Sequence, residues 1–366
     1  MKNSLLLLSI FFMLANQNLF SQAIIIDHNC AKLEPITETA INQAKQTLHI
    51  AYGHTSHGSQ LITGMSALIG QTNLNGYKGD IYNWNEGGTD GTLDIDDYFA
   101  SGDLGHNGDT TWAHNTGPYL NNSANSDVNV VIWSWCGGVS DNTEAGIQTY
   151  LDKMNELEQQ YPNIKFVYMT GHSDIGADAV LKANNQQIRD YCIANNKILY
   201  DFYDIERYNP DGTFFEFTND NCDYYDAAGG NLLGNWASEW QNSHTEGVNW
   251  YNCSPAHTQA LNGNLKAYAA WWLWCRLAGW EGTEVENIGK ETSVNIYPNP
   301  VKNRLILKSK DVVLKTEIID ITGKIVKIQN IFDDKNEIDV SELNPGIYFL
   351  KIYARKMQNI LRFIKD

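Results

Sequence analysis

Residues 128–133, VNVVIW, form an apolar, β-branched run of the kind found in strands covered on both faces. The next segments narrow the fold. Residues 143–160 have helical spacing, with Ile147, Tyr150, Leu151, Met154 and Leu157 on one face. A strand over 164–169, a helix over 179–194 and a strand over 197–202 come after it. Connections of helical length mean parallel neighbours, since antiparallel strands are joined by short turns. The expectation is a parallel sheet of about five strands with helices on both faces.

Ligands of such sheets bind beyond the carboxyl ends of the strands, and here those ends are polar. A first strand over 48–52 stops at Gly53 and opens into His54, Thr55, Ser56, His57, Gly58 and Ser59. Glycines that admit a ligand to the backbone, beside imidazoles and hydroxyls, suit a nucleophile, its base and oxyanion donors. Residues 79–91 read as a second strand ending at Gly87 and Gly88. The third strand ends in Ser134, Trp135, Cys136, Gly137 and Gly138, and the fourth in Thr170, Gly171, His172, Ser173 and Asp174. His257 stands directly before a last, tryptophan-rich helix over 258–277. Residues 93–127 and 206–256 lack clear periodicity and read as long loops. Ser, Thr and Gly are also ordinary turn residues, and any one histidine is as readily a satisfied surface group; the set gathered at one rim favours function.

Lys2, the apolar run 5–14 and the small residues up to Ala23 have the layout of a secretory signal peptide over residues 1–22. That run is too short for a membrane span, and no later stretch qualifies. Residues 291–366 carry 13 of the 26 Lys+Arg and 10 of the 43 Asp+Glu, a balance of +3, which leaves −20 on residues 1–290. Nucleic acid is therefore no partner, because its phosphates require a basic face. The eleven tryptophans all precede residue 291, and aromatic planes of this kind favour a glycan over a phosphorylated ligand. Six cysteines in an exported chain permit three disulfides in fifteen connectivities, with Cys222–Cys253 the first pairing to test. No zinc-knuckle spacing occurs, no metal site is assigned, and no cofactor is called for; the alternative is a metal held by histidines among His54, His57, His172, His244 and His257 with Asp174 or Asp201 as an added ligand.

After a polar linker over 281–293, short strands at close spacing predict a small all-β sandwich over 294–366. Its YPNP at 297–300, DITGK at 320–324, DVSELNPGIYFLKI at 339–352 and closing RFIKD resemble the type A sorting domain of the type IX secretion system of Bacteroidetes. That resemblance implies handling by the type IX machinery and release to the medium or display at the cell surface.

Within a domain over residues 23–280, residues 45–280 resemble the SGNH (GDSL-like) hydrolases, which implies a flavodoxin-like three-layer α/β/α sandwich and ester hydrolysis. In that family the first strand ends in Gly-Asp-Ser; here Gly53-His54-Thr55 holds the register and Ser56 follows one residue later. Gly87 or Gly88 answers the second block. The third block's Gly-x-Asn-Asp is replaced by Ser134-Trp135-Cys136-Gly137-Gly138, and the last block keeps His257 but has Ser254 for its Asp. Losing that acid matters, because the carboxylate of a serine triad fixes the tautomer of its histidine. The resemblance implies an exported carbohydrate esterase that removes acyl groups from a polysaccharide, with Ser56 as nucleophile and His257 as base. Gly88, His54, His57, Trp135 and His172 are the expected oxyanion or substrate-binding residues, and Thr55 is the other nucleophile by register. The rivals are a polysaccharide lyase or glycoside hydrolase using the rim histidines, or a noncatalytic glycan-binding surface protein. Deleting residues 294–366 should strand the protein in the periplasm; immunoblots of periplasm and medium check this, and normal appearance in the medium would refute it.

Overall fold

The computed structural model describes residues 22–72, 74, 79–282, 294–309, 313–320, 324–330, 337–354 and 358–366. The expected signal peptide and linker lie outside them, apart from Gln22, Glu281 and Gly282. The chain divides into two compact units, Met1–Thr283 and Glu284–Asp366.

In the first unit the chain runs β1 (Ile24–Ile26), α1 (Glu38–Thr47), β2 (His49–Gly53), α2 (Ser59–Leu68), β3 (Trp84–Asn85), β4 (Leu93–Asp97), α3 (Thr111–Leu120) and β5 (Val130–Trp133). It continues with α4 (Gly138–Asp141), α5 (Glu144–Gln160), β6 (Lys165–Met169), α6 (Asp178–Ala194), β7 (Ile198–Tyr200) and α7 (Phe202–Ile205), then β8 (Asp223–Tyr225), β9 (Leu232–Asn235), α8 (Trp236–Ser243) and α9 (Ala260–Leu277). Seven strands pair in the order β1-β7-β6-β5-β2-β4-β3, every pair parallel. The step from β2 to β4 runs one way along the sheet and the steps from β5 through β6 to β7 run the other. Right-handed crossovers therefore place α2 on one face and α5 and α6 on the opposite one. The packing agrees: α1 and α2 lie on α9, while α5 packs on α3 and α6.

Each element has a local cause. The Thr37 hydroxyl caps α1 at the Ala40 N–H, and the Thr143 hydroxyl caps α5 at the Gly146 N–H. Val130, Val131, Ile132 and Trp133 are all buried, as a central parallel strand requires. Two expectations fail for physical reasons. Residues 93–127 are not a loop but contain β4 and α3. The β4 sequence LDIDD hides a strand because Asp94 is buried, its carboxylate satisfied by the Gly87 N–H at 2.7 Å and His49 Nδ1 at 2.7 Å. Residues 206–256 likewise hold the β8–β9 hairpin and α8. The sheet exceeds five strands because β1 and β3, of three and two residues, extend its edges.

All six cysteines are free, which corrects the Cys222–Cys253 pairing. The Cys222 thiol lies 3.3 Å from the Thr258 hydroxyl, and the Cys253 thiol reaches the Ala260 carbonyl and the Asn264 amide.

The second unit holds two antiparallel sheets. One is ordered β10 (Val294–Tyr297), β11 (Arg304–Ser309), β14 (Glu337–Asp339); the other has β13 (Ile325–Asn330), β12 (Val313–Asp320), β15 (Gly346–Ala354), β16 (Gln358–Lys365). They share one core, to which Leu305, Leu307 and Ile338 contribute from the first sheet and Ile318, Leu350, Ile352 and Phe363 from the second.

Helices α2 and α9 are in close contact at Gly64, where an added methyl would sit 1.9 Å from the Gly263 carbonyl oxygen. Gly64→Ala should therefore cost about 1–3 kcal/mol through overpacking, read as a lower urea midpoint by tryptophan fluorescence. An unchanged midpoint would show that the two helices are not locked together here.

Candidate active site

The turn after β2 is built from close approaches. A β-carbon at Gly53 would lie 2.4 Å from the Trp133 ring, and one at Gly58 would lie 2.1 Å from the Ser134 hydroxyl, so the turn can press against the end of β5 only with glycine at both places. The Tyr52 hydroxyl donates to the Gly58 carbonyl at 2.9 Å, and the Ser59 hydroxyl donates to the Ser56 carbonyl at 2.7 Å. At β5 the Ser134 N–H continues the ladder onto the Gly53 carbonyl, 2.9 Å away. Two residues later Cys136 faces the turn.

There the side chains converge. His57 Nδ1 is 3.0 Å from Cys136 Sγ, and His57 Nε2 is 3.0 Å from Asp220 Oδ2. The Ser56 hydroxyl lies 3.4 Å from the same sulfur and 3.0 Å from His257 Nε2. His57 is sandwiched between two other imidazoles: His172 at 3.8 Å and 6° on one side, His257 at 4.4 Å and 14° on the other. His257 occupies left-handed backbone, φ +63°, a conformation held against strain.

The charges follow from these contacts. The hydrogen bond from His57 is the main influence that lowers the Cys136 thiol; burial opposes it, and the Ser56 and Thr55 hydroxyls assist, bringing the group to about 6. Burial works against charge on His57, but the bonds to Asp220 and Cys136 outweigh it and push the imidazole up to about 9. Burial, reinforced by the nearby His57 charge, lowers His172. Between pH 6 and 9 the centre is thus a thiolate–imidazolium pair braced by a carboxylate and flanked by a neutral imidazole.

The structure gathers four of the expected residues, Ser56, His57, His172 and His257, and sends three elsewhere. His54 is 1% exposed, with Nδ1 on the Thr55 carbonyl at 2.9 Å and Nε2 on Asp97 at 2.6 Å, so both nitrogens are spent inside the protein. Trp135, expected at the rim, belongs to the core: its indole N–H donates to the Met169 carbonyl at 2.8 Å. Gly88 packs on Asp94, which pairs with His49 at the amino end of β2. It therefore lies away from the carboxyl rim, where Asp97 and Tyr98 take the place expected of it. Thr55 donates to Asp103 at 2.6 Å. Asp174 caps a turn at Gly176, Asp201 is paired with Arg189, and His244 stacks on Trp240. His57, Asp220 and His257 offer atoms within 4.8 Å of one another, enough to hold a cation by distance. Stacking keeps the two ring planes parallel, however, so their in-plane lone pairs run side by side and do not meet at one point.

Sequence pattern does not single out Cys136 or Asp220. The cysteine carries a signal, a thiol at the end of a central strand followed by Gly-Gly; the aspartate, within the acidic segment NDNCD, carries none. Thiolate reactivity tests the geometry. Iodoacetamide should label Cys136 before the other cysteines, whose thiols burial pushes up. Because the reactive form appears as pH rises, the labelling rate should climb through a midpoint near 6, and His57→Gln should move that midpoint upward. Peptide mass spectrometry checks both, and a midpoint unmoved by the substitution would refute the pairing.

Residues 295–366 match the secretion system C-terminal sorting domain. The domain marks the chain for export by the type IX system to the cell surface or beyond, and no helix among the described residues is long and apolar enough to cross a membrane. No curated protein matches the chain. Among solved structures it is similar to a Cellulomonas fimi endo-beta-1,4-mannanase double mutant, at 12% identity over 68% of this chain and 50% of that one, TM-score 0.16. It is also similar to the FMN-binding beta-glucuronidase of Facaelibacterium prausnitzii L2-6, at 12% identity over 66% of this chain and 32% of that one, TM-score 0.17. An engineered protein is similar at 10% identity over 94% and 99% of the two chains, TM-score 0.23. The chain spans half the length of the mannanase, and at these TM-scores the three likenesses bear on neither fold nor function.

Proposed function

We propose that the chain is an exported ester hydrolase that removes acyl groups from a polysaccharide by covalent catalysis where the turns after β2 and β5 meet. One observation carries the reading: Cys136, His57 and Asp220 are linked in series, nucleophile to base to orienting acid, with spacings of 3.0 Å and 3.0 Å. The Cys136 thiolate attacks the ester carbonyl carbon. The resulting tetrahedral intermediate collapses as His57 passes its proton to the departing sugar oxygen, leaving a thioester. His57, now neutral, takes a proton from water, and the hydroxide releases the acid and restores the thiolate. Asp220 steadies His57 in both steps.

A second assignment at the same site takes Ser56 as nucleophile and His257 as base, and their 3.0 Å contact favours it. Two features weigh against it. Among the described residues no carboxylate is hydrogen-bonded to His257, and a thiolate 3.4 Å from the Ser56 oxygen opposes an alkoxide there. Ser56 and His257 are better used as hydrogen-bond donors to the reacting oxygens. The architecture fits the SGNH-like reading: β4-β2-β5-β6-β7 is the 2-1-3-4-5 order of flavodoxin-like sheets, extended at its edges by β1 and β3. In this proposal residues 1–22 are the signal peptide, 23–280 the hydrolase, 281–293 the linker and 294–366 the sorting domain.

Kinetics on p-nitrophenyl acetate test it. Cys136→Ala and His57→Ala should each lower kcat/KM by about three orders of magnitude or more, and the double variant should lose little further, since members of a catalytic unit are non-additive. Ser56→Ala and His257→Ala should each cost about a hundredfold to a thousandfold. If Ser56→Ala abolishes turnover while Cys136→Ala retains it, the second assignment holds. Unsaturated uronide absorbance with no ester cleavage would instead mean a lyase.

A further inference from the structure

The end of β4 carries a side chain that the acyl chemistry leaves unused. Tyr98 follows Asp97 directly, its backbone is left-handed at φ +57°, and it is 52% exposed. Positive φ is a position for glycine or asparagine, and a bulky residue held there is an outlier. Its ring rests on His54, 3.9 Å away at 44°, and His54 rests on Tyr52, 4.4 Å away at 40°. His54 cannot rotate away, being pinned by Asp97 and the Thr55 carbonyl. The Tyr98 hydroxyl reaches Ser59, whose own hydroxyl holds the Ser56 carbonyl. Three rings thus rise in a column from the core to the surface, and the column ends as an open aromatic face beside the turn that carries Ser56 and His57.

We propose that Tyr98 is a sugar-binding platform: a pyranose of the substrate stacks on its exposed face while the acyl group enters the cluster at Cys136. An apolar ring face is what the CH face of a sugar packs against. The ring's support on His54 means little freedom is lost on binding. Asp97 holds His54 and its charge bears on Tyr98, which opposes carboxylated sugars, so the ring it takes is a neutral acylated sugar and not a uronate. The assignment rests on the hydrolase reading above.

The test compares two esters on the full-length protein: p-nitrophenyl acetate, which has no sugar, and the best cleaved of a panel of acetylated xylan, mannan, glucan and galactan oligosaccharides. Tyr98→Ala should raise KM for the oligosaccharide about tenfold with kcat within about twofold, so that the preference for oligosaccharide over p-nitrophenyl acetate falls about tenfold. Tyr98→Phe and Tyr98→Trp should keep that preference, since both retain a ring. Tyr98→Gly, which relieves the backbone, should match Tyr98→Ala, separating the stacking from the strain. An equal loss on both esters in Tyr98→Ala would make Tyr98 a support for His54 and overturn the proposal. So would a wild type that cleaves p-nitrophenyl acetate and none of the glycans, whereas a wild type inactive on both would sink the hydrolase reading itself.

Discussion

The rim is held together by an ion pair that never meets water. Lys266 of α9 and Glu206 after α7 are both fully buried, 2.6 Å apart, with the ammonium over the Phe202 ring. Burial lowers the lysine, and Glu206 opposes that shift. Such a pair contributes little net stability against an apolar replacement, but removing one partner strands a charge and costs about 3–5 kcal/mol. Its importance lies in what the remaining valences hold. Glu206 also accepts the Ser173 N–H at 2.6 Å, next to His172. Lys266 also donates to Gln60 of α2, and Gln60 in turn donates to the Ala256 carbonyl at 2.6 Å, next to His257. One buried pair therefore fixes the segments on which His172, His57 and His257 ride.

Within that frame the contacts of the stacked imidazoles differ. His57 alone has acceptors at both nitrogens, so the proton settles there, and its charge then helps keep His172 neutral. Asp220 offsets part of the cost of an imidazolium in a half-dry cleft, and the thiolate supplies the rest. Much of the chain is acidic, yet the local field at the turn is set by these few contacts and not by the net charge of −17.

Sequence pattern reveals the elements whose burial is simple. Residues 128–133 read as a strand because both faces are apolar, and 143–160 as a helix because its stripe has period 3.6. Strand β4 is illegible because its aspartates are satisfied by partners distant in sequence, His49 and Tyr119 among them. With that strand hidden, Gly88 takes the place that belongs to Asp97 and Tyr98, and the aromatic platform goes unseen. The turn at 53–58 and His257 are legible as chemistry, and they meet across 201 residues. Trp135 is misplaced because strand alternation past the end of β5 cannot be read from two residues. Nothing local distinguishes Asp220 from its acidic neighbours; only the fold brings it to His57.

Cys136 shows why counting cysteines as disulfide material misleads in this chain. An exported protein with six thiols invites pairing, but Cys30, Cys192, Cys222 and Cys275 are buried and Cys253 is half-buried. Burial pushes all five up, Cys253 to about 11 and the others higher still. A thiol in that condition neither attacks a disulfide nor is readily oxidised, because the thiolate is the reactive species. Cys136 is half-buried and differs in its company, an imidazole and two hydroxyls that outweigh its burial. None of the other cysteines can supply a thiolate at neutral pH to trap it as a disulfide. The same burial that keeps five thiols inert thus leaves Cys136 as the thiol whose surroundings favour the reactive form.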